Sequence, residues 1–179
     1  MTNDKLPLTN ESKQPERSGE AVGFNAKTTP GGPPTLRWRV GYGQDADIIE
    51  STFHVRYAET DQMGIVHHSA YVIWMEEGRS EFMRQKHVDY ANVEKRGLSL
   101  AVTELNVRYI ASAHYGEQVT VRTWVDSLRS RMLVFGYEIV NAESKQKLIK
   151  GSVKLILIDQ QGQVVTMPEE IQSALRPYT

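Results

Sequence analysis

The apolar residues of this chain change period once, and that change limits what it can fold into. Tyr71, Trp74, Met75, Gly78 and Phe82 fall at helical spacing and make one stripe, which predicts a helix over 69–87. Downstream, four longer segments alternate with the period of strands. In the first, Leu98, Leu100 and Val102 precede a change of phase at Thr103 and Glu104, and Leu105, Val107 and Tyr109 follow it. One extra residue that shifts the facing side is what a β-bulge does. Val119, Val121, Thr123 and Val125 share a face of the second segment, and Leu133, Phe135, Tyr137 and Ile139 a face of the third. Ile149, Gly151, Val153, Leu155 and Leu157 do so in the fourth, with Lys150 and Lys154 facing outward. Phe53, Val55 and Tyr57 alternate ahead of the helix and predict a half-buried strand over 52–57. Residues 127–131 and 141–145 are short enough for hairpin connections. A short second helix is expected over 89–96, ending at Gly97, and another after Pro168. The order of strand, long helix and four strands is an α+β pattern: an antiparallel sheet with the helix against one face. Periodicity does not supply the strand order.

The first 45 residues read differently. Five of the seven prolines lie at or before Pro34, among Ser, Thr, Asn, Lys and Glu. Such a segment buries too little to offset its ordering entropy, so 1–45 is expected to be a disordered or loosely attached extension, and 46–179 the folded domain. Leu36, Trp38, Val40 and Tyr42 alternate within it, as a short edge strand, an interface clamp or a linker with scattered aromatics would. The N-terminus carries no apolar h-region, and its acidic residues argue against a transit peptide; the expected location is cytoplasmic. No apolar run approaches a membrane span. A net charge of −1, with 24% charged residues, gives no field that would draw nucleic acid. The absence of cysteine removes disulfides, thiolate metal sites and a thiol nucleophile.

One segment stands apart in chemistry. It runs Thr60-Asp61-Gln-Met-Gly64-Ile-Val66-His67-His68-Ser-Ala-Tyr71, and Glu76 and Arg79 follow on the helix. This motif resembles the 4-hydroxybenzoyl-CoA thioesterase family, in particular its short-chain acyl-CoA thioesterase branch associated with the Tol-Pal system. The resemblance covers about residues 51–170, including a third long strand and hairpin at Arg131–Ala142. It implies the hotdog fold, a curved antiparallel sheet of about five strands wrapped around one long central helix. It also implies a homodimer pairing two sheets edge to edge, often two dimers per tetramer, with active sites at the interface. The implied activity is hydrolysis of an acyl-CoA, or of an acyl-carrier-protein thioester, with no cofactor and no metal.

By that resemblance Asp61 is the catalytic carboxylate, as nucleophile or as general base on water. Read alone, it could be a loop aspartate stabilising a turn ahead of Gly64. There is no Gly-x-Ser-x-Gly elbow to supply a serine instead. Gly64 allows a tight turn into the helix. The N–H groups at the helix start can polarise a thioester carbonyl. By resemblance the donor amide lands on His68, whose ring is also expected to orient the substrate or carry a proton. His67 is expected to cap the helix or face solvent. Neighbouring histidines rarely chelate one ion, so a metal centre at His67-His68 is not expected. Tyr71 lies on the stripe, with a hydroxyl able to reach the active-site loop. Glu76 and Arg79 are spaced for an i,i+3 ion pair; Glu76 is also a candidate second acid. Gly64, Val66, His67 and Tyr71 are expected around the substrate, and Arg129 and Arg131 against the CoA phosphates. A binding protein without turnover and a hotdog hydratase are the competing readings. The hydratase needs an Asp/His pair in a different arrangement, which the chain lacks.

Overall fold

The computed structural model describes residues 47–176. Five strands form one antiparallel sheet in the order β1-β3-β4-β5-β2. They are β1 (Ile49–His54), β2 (Ser99–Tyr109), β3 (Gln118–Arg129), β4 (Met132–Asn141) and β5 (Lys147–Ile158). The long helix α1 (His68–Gln85) joins β1 to the short α2 (Tyr90–Lys95), and α3 (Glu169–Leu175) follows β5. This is the α+β, hotdog arrangement expected. The extension at 1–45, with the alternation at Leu36 to Tyr42, lies outside the described residues.

The helical stripe becomes the seam between α1 and the sheet. Tyr71, Trp74, Met75, Gly78 and Phe82 are all buried. They meet the inner residues of β3, β4 and β5, among them Val121, Phe135, Tyr137 and Leu155. Phe82 packs edge to face on Phe135, with ring centroids 5.5 Å apart. Gly78 lets the helix come close: a Cβ there would sit 2.5 Å from Thr123 Oγ1 and 2.7 Å from Val121 Cγ1. Burial of apolar surface is the main stabilising contribution along this seam.

The phase change in β2 is a bulge, with the register shifting between Val102 and Glu104. It keeps the apolar residues of both halves opposite the buried residues of β5. Leu100 and Val102 pair with Leu157 and Leu155, and Leu105 and Val107 pair with Val153 and Gly151. β2 ends the sheet, and Val102, Leu105 and Tyr109 stay substantially exposed along it.

Two sequence expectations are corrected. The first strand runs Ile49–His54, and Tyr57 leaves its face. A 3-10 turn at Tyr57–Glu59 turns the backbone, so Val55 is buried while Tyr57 is 77% exposed. The β3–β4 hairpin is also tighter than 127–131. β3 runs on to Arg129 after a register shift near Asp126, and β4 starts at Met132.

Candidate active site

The segment between β1 and α1 folds back on itself before the helix starts. Val55 N–H donates to Glu117 O at 2.9 Å, which ends the strand beside the loop leading into β3. Thr60 and Val66 then form an antiparallel bridge, and Ile65 bridges His114. Within this small loop Asp61 N–H donates to Ile65 O and Gly64 N–H to Asp61 O, both at 2.9 Å. Gly64 has φ +73°, a left-handed conformation that a side chain would strain. The Asp61 Oδ1 accepts from Met63 N–H at 2.8 Å. That bond fixes the carboxylate in a side-chain-to-backbone turn.

Glu59 ties the loop to the helix. Its carboxylate accepts from Arg56 N–H (2.8 Å), Arg56 Nε (3.0 Å) and Trp74 Nε1 (3.0 Å). Its carbonyl accepts the His67 N–H at 2.8 Å. Burial pushes this carboxyl up, but the bonds from Arg56 and Trp74 outweigh burial and hold it below the usual carboxylate range.

His67 caps α1. Its Nδ1 accepts from Ser69 N–H at 3.4 Å and lies 2.8 Å from Ser69 Oγ. His68 is the first helical residue, so helix geometry leaves its N–H without an intrahelical acceptor. Its carbonyl accepts from the Tyr109 hydroxyl at 2.9 Å. Tyr71, one turn on, is buried, and its hydroxyl accepts from Ala113 N–H at 3.0 Å. Burial raises the Tyr71 hydroxyl above its ordinary value, so it stays protonated near neutral pH. The Ala113 carbonyl in turn accepts from Val66 N–H at 2.9 Å. Tyr71 therefore joins the helix, the Asp61 loop and the loop before β3.

These elements enclose a cleft of about 280 Å³. Asp61, Val66, His68 and Tyr71 line it, with Met63, Ile65 and Tyr109–Ser112. Four of the eight residues singled out in the sequence thus meet at one cavity. Gly64 and His67 stand next to it in the chain, as turn and cap. Arg129 and Arg131 do not join them: Gln118 opens β3 near the cleft, and Arg129 closes it roughly 36 Å further along at strand rise. A larger cleft of about 860 Å³ follows the second half of α1, between Glu76, Arg79, Met83, His87, Tyr90 and Leu100. Arg79 and Glu76 approach to 3.9 Å there.

Two residues of the site were missed in the sequence. Glu59 was passed over, although its i,i+3 spacing to Arg56 was a visible signal for a charge pair. Tyr109 ends the apolar alternation of its strand, which hides the hydroxyl that reaches the helix start.

Known proteins share this sequence and fold. The thioesterase-like superfamily matches residues 55–175. A putative acyl-CoA thioesterase of Bacillus subtilis, YneP, is 37% identical over 64% of this chain and 83% of its own length. The acyl-CoA thioester hydrolase YbgC of Escherichia coli is 31% identical over 59% of this chain and 78% of its own. The crystal structure of a hypothetical protein, TT1821, from Thermus thermophilus superposes with a TM-score of 0.66 at 37% identity. It covers 70% of this chain and 95% of that one.

Proposed function

The chain belongs to the thioesterase-like superfamily, and on that premise we propose that it hydrolyses acyl-CoA thioesters to a free acid and CoA. The observation that carries the reading is that Asp61 and His68, the first residue of α1, line one cleft. A thioester carbonyl lying between them would find a carboxylate on one side and an N–H donor on the other. The His68 N–H, with the positive end of the helix behind it, takes the charge that develops on the carbonyl oxygen. Asp61 either attacks the carbonyl carbon, giving an anhydride that water opens, or removes a proton from the attacking water. The CoA thiolate leaves in both cases. Because His68 lines the cleft, we assign its ring the orientation of the substrate or the transfer of a proton.

Release of free thiol from a panel of aliphatic and aromatic acyl-CoAs tests this. Turnover of at least one is expected. Silence on every member would sink the hydrolase and leave an acyl-thioester binding protein. A single turnover in heavy-oxygen water then tests the nucleophilic role, because label in the Asp61 carboxylate requires water to open an anhydride at the aspartyl carbon.

The exposed outer edge of β2 supports a homodimer that joins two sheets edge to edge. Val102, Leu105, Tyr109 and Ile110 are 43–55% exposed along it, and among the described residues no strand pairs with that side. An antiparallel pairing would set the wide cleft of one subunit beside the Asp61 cleft of the other. Leu105→Lys is expected to yield monomers in sedimentation; an unchanged mass would refute this interface.

A further inference from the structure

Two tyrosines beside the Asp61 loop have no part in packing or hydrolysis. Tyr57 is 77% exposed and Tyr115 is 64% exposed. Their rings nevertheless meet edge to face, with centroids 5.6 Å apart at 88°. They come from the two segments that build the cleft. The Tyr57 carbonyl accepts from Thr60 N–H at 3.1 Å and from Thr60 Oγ1 at 2.8 Å, one residue before Asp61. Tyr115 follows His114, which bridges Ile65 at the other end of the loop. An edge-to-face pair leaves a broad ring face to solvent, and each ring limits the motion of the other.

A cavity of about 280 Å³ can take a thioester and the groups next to it, but not a whole acyl-CoA. The nucleotide end must lie on the surface outside. Tyr57 lies four positions before Asp61, so their Cα atoms are at most about 14 Å apart. By ordinary bond lengths an extended pantetheine arm spans roughly 15 Å. A carrier whose thioester sits at Asp61 therefore brings its nucleotide within reach of the tyrosine pair.

We propose that Tyr57 and Tyr115 form a stacking platform for the adenine of CoA, so that this face recognises a free nucleotide carrier and not a protein-bound pantetheine arm. This rests on the hydrolase reading above. Every base presents a flat π-face, and stacking on one aromatic changes affinity by roughly 5- to 150-fold. Arg56, adjacent in the chain, is held in place by Glu59 at 2.6 Å while its side chain stays 72% exposed. The phosphates would pass beside it.

The test compares kcat/KM for one acyl group carried on CoA and on pantetheine, which lacks the nucleotide. In the wild type the ratio is expected to favour CoA. Tyr57→Ala and Tyr115→Ala should each lower that ratio at least about fivefold, mainly through KM, whereas Tyr57→Phe, which keeps the ring, should preserve it. Thermal melting of each variant checks that the fold is intact. A ratio unmoved by either alanine, or equal losses on both carriers, would overturn the proposal. So would a loss confined to an acyl-carrier-protein thioester, which would make the pair a protein-docking patch. If the wild type hydrolyses neither carrier, the hydrolase reading fails, and titration with CoA and with adenosine 3′,5′-bisphosphate still decides the stacking. Weaker binding of both to Tyr57→Ala supports it, and equal affinity refutes it.

Discussion

The seam along α1 and the loop at its start are neighbours held by different forces. The seam is dry and apolar: Trp74, Met75 and Phe82 are each about 1% exposed. The loop from Arg56 to His68 is mostly exposed, and a closed set of hydrogen bonds shapes it, with Glu59, Asp61, His67 and Tyr71 as its nodes. Burial is non-directional and tolerates any side chain of suitable size, whereas each bond of the loop needs one atom in one place. Stability should therefore reside in the seam and chemistry in the loop, and substitutions should separate the two.

The sharpest break is Asp61→Asn. The amide can still accept from Met63 N–H, so the turn should persist, but it is neither nucleophile nor base. Thiol release is expected to fall about 10³-fold, with a melting temperature close to the wild type. A large drop in melting temperature would make Asp61 a structural residue. Phe82→Ala reverses the pattern. It empties a site packed on Phe135 and should cost about 3–5 kcal/mol in denaturant unfolding. The folded fraction should keep its kcat.

Glu59→Gln tests whether the loop is a unit. The amide can still accept from Trp74 but loses its charge-assisted bonds to Arg56. A fall in kcat of roughly tenfold is expected, since misplacing a reacting group by a fraction of an ångström is costly. The titration of Glu59 has a definite sign. Its carboxyl lies below the ordinary range in the folded state. Its contribution is thus present above the unfolded value and is lost as pH falls through the lower folded one. Trp74 fluorescence should report an acid transition below the usual glutamate range, absent in Glu59→Gln. The same transition in both proteins would assign it elsewhere.

The seam was legible in the sequence because periodicity is a direct image of burial. The stripe from Tyr71 to Phe82 and the phase change at Thr103 and Glu104 correspond to the buried helix face and the bulge. Tyr57 escapes the pattern for the same reason. Alternation carries on through a turn when the next residues happen to fit it, and nothing in the pattern shows that the backbone has rotated out of the strand. Strand order was hidden because it depends on pairings between distant segments. The loop was legible only as chemistry. Asp61 and the helix start were visible through the motif, but the bonds from Glu59 and Tyr109 join residues 15 and 41 positions apart, and no local pattern encodes them.

His67→Ala is the smallest expected effect, and it sharpens the comparison most. His67 sits within the loop, beside the cleft, yet its bonds are those of a cap: Ser69 N–H and Ser69 Oγ. Losing a cap exposes one unsatisfied helix donor and costs about 1 kcal/mol. The His67 N–H that binds the Glu59 carbonyl belongs to the backbone and survives the substitution, so the His68 amide should keep its position. The variant should therefore lose a few degrees in melting temperature while kcat and KM change by about twofold or less. His67→Asn, which can accept the same bond, should restore the stability. A rise in KM without loss of stability would place the His67 ring on the substrate and move it from the architecture of the helix to the chemistry of the loop.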